Sequence, residues 1–593
     1  MPLTLHTLET DFVVAGGGLS GVVAALAAAR RGSRVVLIQD RSVLGGNASS
    51  EIKMHIVGAD CHGQKPGTRE SGIMEELRLD DAVRNPHRCY SQWDLLLYEK
   101  VILEPNITLL LDTDLIGATV EGGVIQSVRA VRSFTEDEFV IRAKFFADCT
   151  GDGRLGVEAG ADYHVGREAK SQYGETLARD VADKQSLGCS ILFTGRKHDT
   201  PQPFVSPSWT RKFKKEHFHR RHIGSYEYGY WWFEWGGQLD TIKNGADIRH
   251  ELLRIALGVW DYVKNSGDHP DSANWTLDWV GSIPGKRESR RFLGPHVLVE
   301  QDILTGRIFD DQVAYGGWCI DIHPPSGVDA TAEAPCWQTY IKHLYSIPFG
   351  CYHSRNIPNL FFAGRNISAS HVAFASTRVM ATCAIGGQAI GTAAALWRDA
   401  AGSDIRQLAT KENIAALQQA LLRDDAWLLN VPNTDAADLA RKATATATSA
   451  VQPAANVTDG VTRDLKAVWG PWSSDSSHCW ESAALPATLA LALPAAAPVS
   501  EVHVTFDTNF HKELILSMSD HHTTKSAPRS AQLETVKAYR ILVDGRVVVE
   551  VTDNYQRKRI HKLATPVTGK KVEFEALATH GAPTARVFEI RLY

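Results

Sequence analysis

Residues Asp11-Phe12-Val13-Val14-Ala15-Gly16-Gly17-Gly18-Leu19-Ser20-Gly21 form an apolar run that ends in glycines. The alanine-rich stretch Gly21 to Arg31 follows, then Gly32, then a second apolar run from Arg34 to Ile38. This pattern predicts strand, tight turn, helix and strand, a βαβ unit of about 30 residues. Gly16, Gly18 and Gly21 fit G-x-G-x-x-G at the turn. The first glycine permits a sharp turn, the second lets a pyrophosphate approach the backbone, and the third lets helix and strand pack closely. Leu19 and Ser20 then open a helix whose positive end faces the phosphates. A glycine turn alone is a weak signal. One that follows a strand and opens a helix reads as a dinucleotide site.

An acid about 20 residues further on should meet the ribose hydroxyls. The position directly after the second strand is Gln39, with Asp40 next. Either Asp40 makes that contact with a small shift, or Gln39 makes it as a neutral partner, or Asp40 is only a solvated loop residue.

Four later segments distinguish nicotinamide from flavin. The loop Arg41-Ser42-Val43-Leu44-Gly45-Gly46-Asn47-Ala48-Ser49-Ser50-Glu51 holds a glycine pair, and Phe146-Ala147-Asp148-Cys149-Thr150-Gly151-Asp152-Gly153 is a strand end that turns at glycines. Asn359 to Ser368 forms a late strand and loop, and Thr382 to Trp397 a helix of small residues. In this order the chain resembles the FAD-dependent oxidoreductases of the glutathione-reductase and fumarate-reductase superfamily. Gly45–Glu51, Gly285–Arg291 and Arg365–Ser368 are similar to a bacterial FAD-dependent oxidoreductase group, and the likeness spans Asp11 to Asp425. The resemblance implies a Rossmann-type fold and FAD as cofactor. It implies that Arg41, Gly45, Gly46, Asn47 and Ser49 meet the phosphates and ribityl chain. It further implies that Asp148, Thr150, Gly151, Asp152, Gly364, Arg365, Arg378 and Thr382 approach the rest of the flavin. It names no substrate.

A length of 593 residues suggests three or four structural units. The expected fold class is an α/β Rossmann-type FAD-binding domain in two parts, 1–165 and 279–400, interrupted by an α+β substrate or cap domain at 166–278. The insertion carries the aromatic run Tyr226 to Trp235 and a helix from Ala246 to Lys264. Strands are expected at Ile107–Leu111, Val124–Val131, Phe139–Phe146 and Val297–Glu300. A helical segment and linker (401–455) should contain helices at Asp404–Leu422 and Asp435–Lys442, with low-complexity Lys442 to Ala450 as the linker. From 456 to 593, seven short β-type runs predict an all-β sandwich or jelly roll, Glu513–Ser517 among them. Through Trp480, Phe506-Asp507-Thr508 and Val587–Leu592 it resembles galactose-binding-like modules, which either bind glycans or only stabilise an enzyme.

The net charge is −5, from 63 basic and 68 acidic residues, which does not suggest a nucleic-acid partner. Nine scattered cysteines without a C-x-x-C pair argue against a disulfide framework and a zinc site. No metal is expected. The N-terminus, Met1 to Thr10, lacks a basic and then apolar leader, and no charge-free apolar run of about 18 residues is present, so the default location is the cytoplasm.

Hydride transfer from an alcohol needs a base, and reduction of an activated double bond needs an acid and a carboxylate clamp. His371 follows the Arg365–Ser370 loop, and His55 and His62 lie beyond the glycine pair. Arg287, Glu288, Arg290 and Arg291 form a dense cluster that could clamp a carboxylate or form an internal ion network. His371, His55, Arg290 and Glu288 are the catalytic candidates. The expected activity is oxidation of a CH–OH group of a sugar, oligosaccharide or related small molecule. Reduction of an unsaturated carboxylate is the alternative, and a glycan-binding protein with structural FAD a third. The electron acceptor and the oligomeric state, a homo-oligomer being one option, stay open.

Overall fold

The computed structural model describes residues 3–519 and 525–593, so Met1 and Pro2 of the N-terminal reading lie outside the described residues. A five-stranded parallel sheet runs in the order Leu360–Phe362, Phe145–Asp148, Phe12–Ala15, Val35–Ile38, Ile107–Leu110. Its strands are apolar and, around the central one, buried on both faces, as a parallel sheet covered by helices requires. Phe12–Ala15 sits in the middle, so the glycine turn after it emerges at the carboxyl edge of the sheet. Ligands bind along that edge in open α/β sheets.

Helix Leu19–Ala29, which follows the turn, lies against helix Met380–Leu396. Small residues permit the approach. A Cβ on Gly387 would fall 2.1 Å from the Ser20 carbonyl oxygen, and one on Gly391 2.2 Å from that of Ala24. Helix His371–Thr377 meets Met380–Leu396 at 92°, with Arg378 at the corner. Among the described residues no single helix is long and apolar enough to cross a membrane.

A second sheet pairs Thr4–Glu9 in parallel with Asp137–Arg142 and continues antiparallel through Val124–Arg132 to Asp114–Glu121. The run expected as one strand at Phe139–Phe146 is therefore two. Asp137–Arg142 belongs to this sheet and Phe145–Asp148 to the parallel one.

Between 166 and 286 lie short antiparallel strands and helix Gly245–Asn265. Ile248, Leu252, Ile255, Val259 and Trp260 recur at helical spacing and bury against Phe193, Tyr230, Trp232 and Phe233. Val297–Glu300 is not a strand: Leu298 makes a single bridge to Ala369, and Glu300 already begins a helix to Leu304.

The C-terminal region is an antiparallel sheet of seven strands among the described residues. Its long strands Ala487–Phe506 and Lys558–Thr579 pair with register shifts at Ala492/Ala497 and Val499/Glu501. Trp480, Leu489, Val504, Phe506, Tyr539 and Phe574 fill one core beneath it. The expected linker departs from prediction: Thr444–Ala447 is a strand on Ala487–Phe506, because its alternating Thr and Ala suit a half-covered sheet edge. Asp435–Lys442 gives only a short turn at Leu439–Lys442. Glu513–Ser517 is not a strand either; Leu514 is buried instead beside Leu79 and Ala82. Arg69 binds this segment to the α/β part, donating to Glu75 and to the carbonyls of Thr508 and Asn509 at 2.7 and 2.8 Å.

Candidate functional site

A cavity of about 970 Å³ opens at the carboxyl edge of the parallel sheet. Its floor is the glycine turn: Gly16, Gly18, Leu19 and Ser20 all face it. Gly16 has φ +101°, which favours glycine, and a Cβ there would strike the Cys149 carbonyl at 2.4 Å. A Cβ on Gly18 would meet nothing within 4 Å and would project into open space. Gly21 does not face the cavity, since its missing Cβ lets the Gly16 carbonyl approach to 1.8 Å from where it would be. It is the packing glycine of the motif.

Gln39 closes the turn from below. Its Oε1 accepts the Gly17 amide at 2.7 Å, and its Nε2 donates to the Val43 carbonyl at 3.1 Å. The amide side chain is thus committed to the loop, while exposed Asp40 faces the same cavity. Arg41 also faces it and pairs with Glu51 at 3.1 Å. The second glycine pair is drawn in by the Gly45 amide, which donates to Gly17 at 2.8 Å. Gly45 and Gly46 both have positive φ and line the cavity with Asn47, whose Nδ2 donates to the Lys286 carbonyl at 3.0 Å. Ser49 is buried behind them, outside the lining.

Asp148 lies beneath the lining. It accepts from the Thr150 amide and hydroxyl, the Gly156 amide and Asn366 Nδ2, at 2.8 to 3.1 Å, and so ties two cavity loops together. Burial still raises its carboxyl above the usual range. Thr150, Gly151 and Asp152 face the cavity, as do Gly364 and Arg365 across it. Asp152 pairs with Lys286 and, at 2.6 Å, with Arg365. Burial opposes ionisation there, but the two cations outweigh it and hold the carboxyl at about 2. Arg365 Nε is buried without a partner among the described residues. Thr382 does not line the cavity; it donates to buried Glu70 at 2.9 Å.

These features fit FAD. Open space at Gly18, two left-handed glycines in the same lining and the start of a helix suit a pyrophosphate, and the Arg365 guanidinium in the lining suits an acceptor-rich ring.

A further part of the same cavity, termed the second chamber, is lined by other residues. His55, His62, Tyr228, Trp231, Arg287 and Arg290 face it, with Trp318, Asp321, His323, Gln338 and Arg378. His323 is buried between two carboxylates, Nδ1 to Glu234 at 2.6 Å and Nε2 to Asp321 at 3.0 Å. Burial disfavours its charge, but the two carboxylates outweigh that and raise its pKa above the ordinary value. Arg378 pairs with Asp321 at 2.8 Å, and Arg287 is held by Ser190 Oγ and the Trp231 carbonyl, both at 2.8 Å. Arg290 donates to the Asp152 carbonyl at 3.1 Å. Trp318 Nε1 and Arg378 Nε are buried donors without partners among the described residues.

His371 and Glu288 lie elsewhere. Ser370 caps helix His371–Thr377, accepting the Ala373 amide, and this starts the helix with His371 turned into a buried ion cluster. His371 Nδ1 meets Glu288 at 3.0 Å, and Arg291, fully buried, joins Glu288 to Glu168. Burial would raise the Glu288 carboxyl, yet His371 and Arg291 lower it. Neither His371 nor Glu288 lines the cavity.

The C-terminal segment reaches this chamber from behind. Glu513 bonds His62 Nδ1 at 3.1 Å, Ser517 Oγ lies 3.4 Å from His55 Nε2, and Ser519 bonds Tyr228. Nothing local in the sequence signalled these contacts. Asp321 and His323 were also missed; Asp321 lies in the strand Ile320–Ile322 and His323 directly after it, and Asp321 bonds His323. The aromatic run is split in the same way: Tyr228 and Trp231 face the cavity, while Tyr230, Trp232 and Phe233 are core.

The family described as FAD dependent oxidoreductase matches residues 11–421. No curated protein gives a match. Among solved structures, a geranylgeranyl bacteriochlorophyll reductase-like protein from Thermoplasma acidophilum is similar at 12% identity and TM-score 0.33, over 71% of this chain and 89% of that one. The family 32 module of C. perfringens NanJ, solved with galactose, aligns at 18% identity and TM-score 0.19, over 26% of this chain and 97% of its own. L-proline dehydrogenase from P. horikoshii aligns at 23% identity and TM-score 0.16, over 25% and 23%. At these scores none of the three assigns a substrate.

Proposed function

Because the chain belongs to the FAD-dependent oxidoreductase family, with FAD as its cofactor, we propose that it oxidises a CH–OH group of a carbohydrate or related hydroxylated molecule bound in the second chamber. Bound FAD supplies the two-electron acceptor. The glycine turn, Gly45–Asn47, Thr150–Asp152 and Gly364–Arg365 are the residues we assign to holding it. Asp40 rather than Gln39 is assigned the ribose, since the Gln39 side chain is spent on the loop.

The observation that carries the substrate reading is the charge balance of the second chamber. Most of its cations are already answered: Arg378 and His323 by Asp321 and Glu234, and Arg287 by three oxygen acceptors, while Arg290 donates to the Asp152 carbonyl. A substrate carboxylate at Arg378 would have to displace Asp321. A neutral hydroxylated substrate requires no such displacement, and Tyr228 and Trp231 offer it apolar faces. His55 is the proton acceptor we assign, since it lines the chamber while His371 does not. His62 is less suited, because Glu513 outweighs burial and raises its pKa. The C-terminal region we read as a brace of the chamber wall through the loop residues Glu513, Ser517 and Ser519.

The test is anaerobic mixing of the holoprotein with sugars, polyols and unsaturated carboxylates, following the visible flavin band. Bleaching by a sugar or polyol is expected. Reoxidation of chemically reduced protein by an unsaturated carboxylate, with no bleaching by any hydroxylated compound, would overturn the reading.

A further inference from the structure

Two wall segments of the second chamber, Ala59–His62 and Gly317–Cys319, run against each other. A Cβ on Gly317 would lie 2.3 Å from the Ala59 carbonyl oxygen, and Lys65 Nζ, fully buried, donates to the Gly317 carbonyl at 2.6 Å. This contact brings together two cysteines remote in sequence. Cys61 and Cys319 share one small apolar cluster with Trp318 and Val379. Their thiols hydrogen-bond each other, and the Cys61 sulfur also receives the Cys319 backbone amide. Lys65 and His62 add positive charge beside Cys61. The hydrogen bond from Cys319 draws the Cys61 thiol below its usual range, and the same bond holds Cys319 above it.

The surroundings differ from those of the other cavity-side cysteines. Burial pushes Cys149 up and Cys383 to about 12, so neither is an available nucleophile. Cys61 and His62 have φ of 49° and 56°, a left-handed conformation that non-glycine residues seldom adopt and that the surrounding fold must impose. The residues beside the pair, His62, Trp318 and Val379, all face the chamber, so the thiols stand one layer behind its wall.

We propose that Cys61 and Cys319 are a reversible dithiol–disulfide pair, oxidised by small hydroperoxides. The Cys61 thiolate attacks one peroxide oxygen; the O–O bond breaks and the other oxygen leaves as hydroxide or alkoxide, which takes up a proton. Cys61 is left as a sulfenic acid. The Cys319 sulfur then attacks Cys61, forming the S–S bond as the S–O bond breaks, and the departing hydroxide leaves as water with the Cys319 proton. The two thiols lose two electrons and the peroxide gains them. A dithiol reductant reverses the change by exchange.

The test uses the full-length holoprotein, treated with hydrogen peroxide and analysed by intact mass and non-reducing peptide mapping. Loss of two hydrogens, with the Cys61 and Cys319 peptides joined and separated again by dithiothreitol, is expected. In Cys319→Ser, dimedone should label Cys61 and no crosslink should form. If wild-type protein keeps both thiols open to alkylation after peroxide, or if the crosslink joins other cysteines, the proposal fails whether or not the variant folds.

Discussion

His371→Gln separates a structural histidine from a catalytic one by magnitude. Among the described residues the imidazole makes one bond, to Glu288 at 3.0 Å, within a cluster that also holds Arg291 and the Leu187 amide on the same carboxylate. The backbone amide of residue 371 keeps its bond to Glu168 at 2.8 Å whatever the side chain. The variant thus loses a single buried bond to a charged group, worth about 1.5–3 kcal/mol of stability. Glu288 stays paired with Arg291, which keeps the loss below the about 3–5 kcal/mol that follows when a buried ion loses its partner outright. Removing a general base would instead cost about 10²–10⁴-fold in rate. The assay pairs chemical denaturation with the anaerobic flavin-bleaching rate, using a compound that bleaches the wild type. A lower denaturation midpoint with a bleaching rate within a few-fold of wild type is expected. A rate reduced by a hundredfold or more at unchanged stability would refute the assignment of His371 to the scaffold.

Gly18→Ala should fold normally but retain less FAD on gel filtration, because the added methyl enters open space at the phosphate position. Gly21→Ala should lower thermal stability, because its Cβ meets the Gly16 carbonyl at 1.8 Å. Asp152→Asn should destabilise the holoprotein at neutral pH. Because the native carboxyl is held at about 2 against an ordinary 3.8, its stabilising effect is present above the ordinary value and is lost as pH falls through about 2. The stability gap between variant and wild type, read by denaturation at stepped pH, should therefore narrow across that window. Glu513→Gln should bring the His62 pKa down, since it removes the carboxylate charge that offsets burial, and an imidazole NMR titration reads this directly.

The parallel sheet and its glycine loops were legible because each rests on local signals. Apolar runs end at glycines, and Gly16, Gly45 and Gly364 show the positive φ that such turns demand. Placing side chains around the cavity was harder. His371 follows a cavity loop in sequence, but the Ser370 cap sets the start of its helix and turns the ring into the ion cluster. Glu288 sits between cavity-facing Arg287 and Arg290, yet it is buried behind them. The second chamber needs residues from the insertion, from Trp318–His323 and from the C-terminal segment at Glu513–Ser519. Only tertiary contact unites these. The same holds for Cys61 and Cys319, where a search for closely spaced cysteines finds nothing.

The most direct test of CH–OH oxidation is stopped-flow reduction of the holoprotein by a bleaching sugar or polyol with deuterium at the carbinol carbon. Slower bleaching with the deuterated compound, and a further loss of rate in His55→Asn, are the results expected when hydride leaves that carbon as His55 takes the hydroxyl proton. Bleaching indifferent to deuterium, at an unchanged rate in His55→Asn, would contradict it.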